Sequence, residues 1–322
     1  MKDRLGRNIE YLRVSITDRC NLRCLYCMPE AGAEALRPDE LLTFGEIQRA
    51  VACLARLGIR AVRLTGGEPM ARPGCLALVE MLKAVPGIDR VAMTTNGLLL
   101  KDRVAQAARA GLDALNISLD ALDPDVYRRM SRGGDVGDAL ATLRQAVACG
   151  LRVGVNAVPV RGLNDGELEA LAALARSLPV DVRFIELMPV GCGRGLEGLP
   201  NDAVAARLER AFGPLAPSEE SGPGPAVYYR PEGFQGRVGF ISALGHEFCD
   251  RCNRVRLTPE GRLKLCLNHR AGLDVRAMLR GGAGDDALAC AMGEAIWNKP
   301  ARHGFAEAIS DREFRGMNQF GG

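Results

Sequence analysis

Residues 11–27 read YLRVSITDRCNLRCLYC, a β-branched run that leads directly into three cysteines. The run favours a buried strand, and five more runs of the same kind follow, separated by amphipathic, helix-like stretches. Strands that alternate with helices are typical of repeated βα units around a parallel sheet. The predicted strands cover residues 11–17, 61–65, 90–95, 114–119, 152–158 and 181–187.

Unusual residues follow these predicted strands at the same end. Three cysteines follow the first strand, and Gly66-Gly67-Glu68-Pro69 follows the second. The third, fourth and sixth strands are followed by Asn96-Gly97, Asp120 and Met188-Pro189. Because ligands bind at the carboxyl ends of strands in α/β barrels and open sheets, we expect the chemistry to gather on one rim.

Composition narrows the class of protein. The 322 residues carry 42 basic and 39 acidic side chains, a net charge of +3 that is too balanced to indicate nonspecific binding of nucleic acid. The chain shows neither a secretory signal pattern nor an apolar run of about 18 residues, so we expect a cytoplasmic protein without membrane association. Eleven cysteines without such a signal indicate metal or redox chemistry.

The composition changes after about residue 190. Residues 213–236 are rich in Gly, Pro, Ser and Glu, which predicts a linker or an irregular crossover. Beyond them, residues 254–258 and 262–267 flank a Pro-Glu-Gly turn and predict an antiparallel hairpin. We therefore expect two domains, residues 1–205 and residues 206–322.

Cys20, Cys24 and Cys27 form the first cysteine triplet. A structural zinc site or an ordinary cubane takes four protein ligands, and the sequence offers no fourth Cys or His nearby. A site with three ligands leaves one metal position open for a substrate or cofactor. The alternative is a zinc site that is completed from a distant part of the chain.

Cys249, Cys252 and Cys266 form the second triplet. The predicted hairpin would fold Cys266 back toward the other two cysteines. His269 lies three residues beyond Cys266 and could complete a zinc-ribbon-like site. Spacing alone therefore leaves open both a second open cluster site and a structural zinc site.

The other five cysteines show no ligand pattern. Cys53, Cys75 and Cys149 occupy apolar helical patterns, where we expect small buried side chains. Cys192 and Cys290 receive no assignment.

Both triplets carry a resemblance to known proteins. The CxxxCxxC loop, with an aromatic residue before its last cysteine, resembles the radical S-adenosylmethionine superfamily. Residues 248–258, FCDRCNRVRLT, resemble the carboxy-terminal cluster motif of the GTP 3′,8-cyclase family, the first enzymes of molybdenum cofactor biosynthesis. The likeness extends through residues 11–18, 62–69, 94–97, 183–188 and 321–322.

The resemblance implies a fold, cofactors and a reaction. The fold would be a partial (βα)6 TIM-type barrel whose open side is closed by a smaller C-terminal cluster-binding domain. Each triplet would hold a [4Fe-4S] cluster, and reductive cleavage of S-adenosyl-L-methionine at the first would give a 5′-deoxyadenosyl radical. That radical would remove the C3′ hydrogen of GTP, C3′ would attack C8, and reduction would give (8S)-3′,8-cyclo-7,8-dihydroguanosine 5′-triphosphate.

The resemblance also implies which residues of this chain contact the cofactor and the substrate. The S-adenosylmethionine contacts would be Tyr26, Gly67, Glu68, Ser118 and Met188. The GTP contacts would be Arg13, Arg63, Thr94, Arg183, Arg254, Val255 and Arg256, with the free iron of the second cluster at the guanine base. The tail residues Gly321 and Gly322 would reach into the active site.

One position departs from the family pattern. Where the family usually has a GTP-binding lysine on the fifth strand, this chain has Gly154 before Val155-Asn156. Arg152 lies on the same predicted strand face, about 6.6 Å further back. We hypothesise that the longer side chain of Arg152 compensates for the missing lysine.

The resemblance further implies partners. They would be GTP, an external electron donor and cyclic pyranopterin monophosphate synthase, which would receive the product from a monomer or homodimer. The sequence leaves the identity of the reductant and the oligomeric state open. One rival is a peptide-modifying radical enzyme with an auxiliary cluster, a class that usually has more C-terminal cysteines. The other is a noncatalytic zinc-stabilised binding module that uses Cys249, Cys252, Cys266 and His269.

Overall fold

The computed structural model describes residues 1–219, 224–305, 313 and 315–321. Its strands are β1 (Tyr11–Ser15), β2 (Ala61–Thr65), β3 (Arg90–Thr95), β4 (Ala114–Ser118), β5 (Arg152–Ala157), β6 (Asp181–Ile185), β7 (Ala216–Pro217), β8 (Val227–Arg230), β9 (Arg237–Ile241), β10 (Arg254–Leu257), β11 (Arg262–Lys264) and β12 (Gly272–Asp274). Within the described residues they form one sheet in the order β12-β11-β10-β1-β2-β3-β4-β5-β6-β9-β8-β7.

The six strands predicted from the sequence are confirmed as β1 to β6. They pair in chain order, and every pair is parallel. In the described part of the chain β1 and β6 are not paired with each other, so the barrel stays open along that side. The predicted fold class, a partial α/β barrel, is therefore confirmed.

The C-terminal strands continue this sheet at both edges. β9 pairs in parallel with β6, and β10 pairs in parallel with β1. The predicted hairpin is confirmed as the antiparallel pair β10 and β11. The domain division at residue 205 stays a prediction.

Residues 213–236, predicted as a linker or an irregular crossover, contain two short strands that the sequence did not predict. β7 and β8 lie there and form an antiparallel pair, and β8 pairs with β9. Tyr228 and Tyr229 favour a strand, but the run is only four residues long and follows a Gly- and Pro-rich stretch. Residues 220–223 lie outside the described part.

Helices cover the outside of the sheet. Thr43 and Glu46 cap the first helix reciprocally, as their spacing predicts. Ile47, Val51 and Leu54 on that helix are fully buried in the main hydrophobic core. None of the described helices has both the length and the apolar character that crossing a bilayer requires. The helices are α1 (Phe44–Arg56), α2 (Cys75–Lys83), α3 (Val104–Arg109), α4 (Pro124–Ser131), α5 (Val136–Ala148), α6 (Leu168–Ser177), α7 (Asn201–Phe212), α8 (Val275–Arg280), α9 (Asp285–Trp297) and α10 (Met317–Phe320).

A buried ion pair connects the C-terminal tail to the sheet. The ammonium group of Lys264, on β11, is fully buried and donates to the Glu313 carboxylate. Arg315 donates to that carboxylate at 3.1 Å and to Glu260 at 2.5 Å. Burial opposes ionisation of Glu313, but these donors outweigh it and hold its pKa at about 2. The Phe320 ring lies 5.2 Å from the Lys264 ammonium, so the tail packs against the same group.

Replacement of the buried carboxylate should destabilise the fold. We expect Glu313→Leu to lower the free energy of unfolding by about 3–5 kcal/mol, because it leaves the Lys264 ammonium buried without its counterion. The double variant Lys264→Met, Glu313→Leu should recover most of that loss, since it removes both charges. Urea unfolding followed by circular dichroism measures both changes, and equal losses in the single and double variants would contradict the expectation.

Candidate active site

A cavity lies at the carboxyl ends of the barrel strands, on the rim where the sequence predicts the chemistry. Both triplets line it: Cys20, Cys24, Cys27, Cys249, Cys252 and Cys266. The predicted cofactor and substrate contacts that also line it are Tyr26, Gly67, Glu68, Ser118, Met188, Arg13, Arg63, Thr94, Arg183, Arg254 and Arg256. The fold thus gathers residues from both halves of the chain, while the roles of these residues stay predictions.

The first cysteine loop rests directly on the turn after β2. A side chain at Gly67 would overlap the carbonyl oxygen of Arg19, and one at Gly66 would lie 2.7 Å from that of Thr17. The amide of Gly67 donates to the Thr17 carbonyl at 2.7 Å, and that of Glu68 donates to the Arg19 carbonyl at 2.8 Å. The paired glycines are therefore required for this close backbone approach.

Glu68 ties the turn after β2 to the end of β3. Its carboxylate is 1% exposed and accepts from the Met70 amide at 3.0 Å, the Thr95 hydroxyl at 2.8 Å and the Asn96 amide at 2.8 Å. Burial raises the pKa of Glu68, and these hydrogen bonds only partly offset that increase. The carboxylate therefore shapes the cavity wall beside the first triplet.

Side chains after β3 and β4 hold the cysteine loop. The Tyr26 hydroxyl donates to the Asp120 carboxylate at 2.8 Å, and the Val158 amide donates to it at 2.9 Å. Burial raises the pKa of Asp120 to about 6. Asn96 donates to the side chain of Asn21 at 2.8 Å. The loop that carries the first triplet is thus fixed by two neighbouring strands.

Arg7 holds the loop of the second triplet. Its guanidinium donates to the carbonyls of Cys249 at 2.9 Å, Pro300 at 2.8 Å and Ala301 at 3.1 Å. The buried carboxylate of Asp3 accepts from Arg7 at 2.6 Å. One N-terminal side chain therefore connects two C-terminal segments that are about fifty residues apart in sequence.

Two cations, Lys299 and Arg254, lie near the second triplet. Lys299 is 3% exposed, lines the cavity and donates to the Leu265 carbonyl. Burial opposes ionisation of the Cys252 thiol, but the charges of Lys299 and Arg254 outweigh it and lower its pKa to about 7. The thiolate is the form that binds metal, so this environment suits a metal ligand.

The structure does not place His269 as a fourth ligand of the second triplet. Its Nε2 lies 3.2 Å from the carbonyl oxygen of Arg302, and its own carbonyl accepts from Lys264 at 2.6 Å. Among the described residues that line the cavity, His269 is not found. The arrangement therefore gives no support to the zinc-ribbon interpretation.

His303 lies closer to the second triplet but is already engaged. Its ring is within reach of Cys249 and Glu247. Its Nδ1 accepts from the Phe305 amide at 3.1 Å, which leaves Nε2 to donate to the Ala243 carbonyl at 2.8 Å. Both ring nitrogens are engaged by backbone groups, which favours a role for His303 in holding the loop.

Strand pairing aligns arginines inside the barrel. The register places Arg13 of β1 opposite Arg63 of β2 on one side and opposite Arg256 of β10 on the other. Arg254 lies two residues before Arg256 and so shares its strand face, opposite Tyr11. The Tyr11 hydroxyl accepts from Arg63. We call Arg63, Arg13, Arg254 and Arg256 the arginine row.

The arginine row concentrates positive charge along one wall of the cavity. Burial lowers the pKa of Arg13 well below its ordinary value, and the charge of Arg256 adds to this effect. Burial and the charge of Arg254 lower the pKa of Arg256 to about 10. Like charges directly opposite each other on neighbouring strands destabilise a sheet. A bound polyanion would remove this repulsion, so the cavity is suited to a phosphate-bearing ligand.

Val255 and Gly321, which were also predicted to lie at the site, are not among the residues that line the cavity in the described part of the chain. The Val255 side chain is 1% exposed and packs in the hydrophobic core, because alternation along β10 turns it away from the arginines. The carbonyl of Gly321 accepts from Arg256 at 2.5 Å, which brings the tail to the arginine row. Gly322 lies outside the described residues.

The side chain of Arg152 does not reach the cavity. Arg152 is exposed at the start of β5 and is not among the described cavity-lining residues. The hypothesis that it compensates for Gly154 therefore gains no support. The Arg183 guanidinium occupies the space next to Gly154 instead.

Several cavity residues were not singled out from the sequence. They are Asn116, Asn156, Tyr228, Lys299 and His303. Asn116 was within reach of sequence reasoning, because it lies two residues before Ser118 and so shares its strand face. Tyr228 lies in the segment that was predicted to be a linker or an irregular crossover. Lys299 and His303 lie in a part of the sequence that has no periodic pattern.

The remaining cysteines differ in exposure. Cys53 and Cys75 are buried, as predicted. Cys149 is exposed, so the prediction that it is buried was wrong; it follows the last turn of α5, where the chain leaves the core. Cys290 is exposed and Cys192 is half-buried.

The fold is similar to solved structures of low sequence identity. Streptococcus suis SuiB bound to S-adenosylmethionine superposes with a TM-score of 0.62 and 13% identity, over 94% of this chain and 68% of that chain. The structure of SuiB bound to precursor peptide SuiA gives a TM-score of 0.61 at the same identity and coverage. At this identity the likeness concerns the fold alone.

Sequence comparison resolves the family. The profile of the Radical SAM superfamily matches residues 14–175, and that of Molybdenum Cofactor Synthesis C matches residues 180–305. The GTP 3′,8-cyclase of Pelotomaculum thermopropionicum is 45% identical over 100% of both chains. That of Heliobacterium modesticaldum is 44% identical over 100% of both, and GTP 3′,8-cyclase 1 of Pseudomonas aeruginosa is 45% identical over 99% of this chain and 98% of its own. The chain therefore belongs to the GTP 3′,8-cyclase family of the radical S-adenosylmethionine superfamily.

Proposed function

We propose that this protein is a GTP 3′,8-cyclase, a lyase of molybdenum cofactor biosynthesis. It converts GTP to (8S)-3′,8-cyclo-7,8-dihydroguanosine 5′-triphosphate and uses S-adenosyl-L-methionine. The observation that carries the proposal is the meeting of two three-cysteine sites and the arginine row in one cavity. Full-length relatives with the same name support it.

The first triplet has the donor set for an open [4Fe-4S] cluster. Cys20, Cys24 and Cys27 offer three thiols beside a cavity large enough to admit a cofactor, and the loop geometry is fixed by Tyr26 and Asn96. Cys20, Cys24 and Cys27 would hold the cluster, which with S-adenosylmethionine would supply the radical chemistry that removes a hydrogen atom from the substrate. Gly67, Glu68, Ser118, Met188 and Tyr26 would line the S-adenosylmethionine site.

We propose that the second triplet holds a second [4Fe-4S] cluster with an open position toward the guanine base. Cys249, Cys252 and Cys266 line the cavity, and the charges of Lys299 and Arg254 favour the thiolate of Cys252. Neither nearby histidine is arranged to complete a four-ligand zinc site. The donor set therefore favours an open cluster over a structural zinc ion.

The chain's own residues would bind and orient GTP between the two triplets. The arginine row, Arg183 and Thr94 would hold the nucleotide, and the main chain of Val255 would complete the site. The carbonyl of Gly321 accepts from Arg256, and the tail residues Gly321 and Gly322 would close the cavity and keep water from the reacting atoms. Residues 1–205 would form the barrel unit, and residues 206–322 the unit for the second cluster and GTP.

The proposal includes partners that follow from the chemistry. The reaction needs electrons, so an external donor must reach the protein, and the product would pass to cyclic pyranopterin monophosphate synthase. We propose a cytoplasmic monomer or homodimer. A peptide-modifying function is the main rival, because SuiB has a similar fold. The arginine row favours a polyanionic nucleotide over a peptide.

Removal of one cysteine set should remove one cluster. Anaerobically reconstituted wild-type protein should contain about eight irons and as much sulfide, and replacement of Cys20, Cys24 and Cys27 by Ala should leave about four. Replacement of Cys249, Cys252 and Cys266 by Ala should also leave about four. Iron and sulfide analysis measures this, and the variant Cys149→Ala, Cys290→Ala serves as a control with unchanged iron. If both triple variants kept the wild-type iron content, the assignment of one cluster to each triplet would be refuted.

Substrate dependence should separate the cyclase from its radical relatives. We expect reduced protein with S-adenosylmethionine to form 5′-deoxyadenosine much faster when GTP is present, because GTP supplies the hydrogen atom. Arg256→Ala should lower the rate by at least about tenfold at subsaturating GTP, since it removes a charge-assisted contact. Chromatography of the quenched reaction measures both. A rate that is independent of GTP but rises with a peptide would favour the rival.

A further inference from the structure

Lys299 is a buried cation in the wall of the cavity. It lies two residues beyond the end of α9, is 3% exposed and lines the cavity together with Cys249, Cys252 and Cys266. An ammonium group is strongly hydrated in water, so its burial is costly unless another charged group compensates for the lost hydration. The groups around Lys299 therefore indicate which charge it balances.

The described residues offer Lys299 no carboxylate partner. Its ammonium donates to the backbone carbonyl of Leu265, and it forms no ion pair within the part of the chain that the structure describes. Lys264, the other buried lysine of that part, is paired with the buried carboxylate of Glu313. The chain thus supplies a counterion for one buried lysine and leaves the other to a group that is not a carboxylate of the described residues.

Hydrogen bonds fix Lys299 to both parts of the second triplet. Leu265, which accepts from its ammonium, directly precedes Cys266. The carbonyl of Lys299 accepts at 3.2 Å from Arg7, whose guanidinium also donates to the Cys249 carbonyl at 2.9 Å. The contacts that hold the cysteine loops therefore also set the position of this ammonium group.

The charge of Lys299 acts on the second triplet with little screening by water. Burial opposes ionisation of the Cys252 thiol, but the charge of Lys299, with that of Arg254, outweighs burial and lowers its pKa to about 7. The carboxylate of Glu247 lies near Cys249, but its side chain is 43% exposed, so water screens its charge far more. The net local charge at the triplet is therefore positive before any metal binds.

We propose that the Lys299 ammonium is the counterion of the second cluster and raises its reduction potential, so that a one-electron donor can reduce it. This inference rests on the proposed function, which places a [4Fe-4S] cluster at this triplet, and deepens it. A cluster with three thiolate ligands is negatively charged, and its negative charge grows by one unit when it takes one electron from the donor. A nearby buried cation that keeps its proton stabilises the reduced form more than the oxidised form.

The test is a redox titration of the second cluster alone, followed by electron paramagnetic resonance. The parent protein is the full chain with Cys20, Cys24 and Cys27 replaced by Ala, reconstituted anaerobically. At the potential where half of the parent's cluster is reduced, Lys299→Met should lower the ratio of reduced to oxidised cluster by at least about tenfold. Lys299→Arg keeps the charge, so its ratio should stay within about threefold of the parent's.

Two controls separate an effect of charge from damage to the loop. Lys101→Met should leave the ratio unchanged, because Lys101 pairs with Asp138 at 2.6 Å and does not line the cavity in the described part of the chain. In a protein that keeps only the first triplet, Lys299→Met should leave the ratio for the first cluster within about twofold. Each single-cluster protein should retain about four irons and the line shape of its parent.

The inference and the proposed function fail in different ways. Equal ratios in the Lys299→Met protein and its parent would overturn the inference alone, and so would an equal loss in the Lys299→Met and Lys299→Arg proteins. A Lys299→Met protein that holds no iron would also overturn it, because Lys299 would then serve assembly of the site. A parent protein that binds zinc in place of iron at the second triplet would overturn the proposed function, and the inference with it.

Discussion

The parallel pairing of β10 with β1 is the interaction on which the site depends. It places the strand that follows Cys249 and Cys252 directly beside β1, which would otherwise be an edge strand of the open barrel. With it, Cys252 and Cys266 lie at the same rim as Cys20, and Arg256 comes into register with Arg13. The hydrogen bonds of one strand pair thus decide which chemical groups share a cavity.

That pairing also brings like charges together on neighbouring strands. Arg256, Arg13 and Arg63 are neighbours in the register of β10, β1 and β2, and burial lowers the pKa of Arg13 and of Arg256. Such an arrangement costs stability in the free protein, and the surrounding hydrophobic core must offset that cost. A polyanion bound there would offset that cost, as the proposed function requires.

The sequence predicted the barrel well because its signals are local. Each of the six predicted strands is present, and its last residue lies within two residues of the predicted one. Thr43 and Glu46 cap the first helix, as their spacing of three residues predicts. The cysteine triplets were equally clear, since three thiols at short spacing have few structural explanations. The features that were not predicted are those that depend on contacts with distant parts of the chain. Tyr228 lies in a four-residue strand that exists because β9 pairs with it.

Gly154, which stands where the family usually has a lysine, is a second position whose surroundings could not be predicted from the local sequence. From the sequence, Arg152 was the natural replacement, because it lies two residues away on the same strand face. In the structure that strand position points to solvent, and the cation beside Gly154 comes from the neighbouring strand. Spacing along one strand could not reveal this, because the side chain next to Gly154 belongs to a different strand.

The most direct test of the central claim is diffraction at the iron absorption edge from anaerobically grown crystals of the reconstituted protein. The account predicts two separate iron clusters, one at Cys20, Cys24 and Cys27 and one at Cys249, Cys252 and Cys266, both facing the cavity that contains the arginine row. Zinc in place of iron at the second triplet, or iron clusters that open onto different surfaces of the protein, would contradict it.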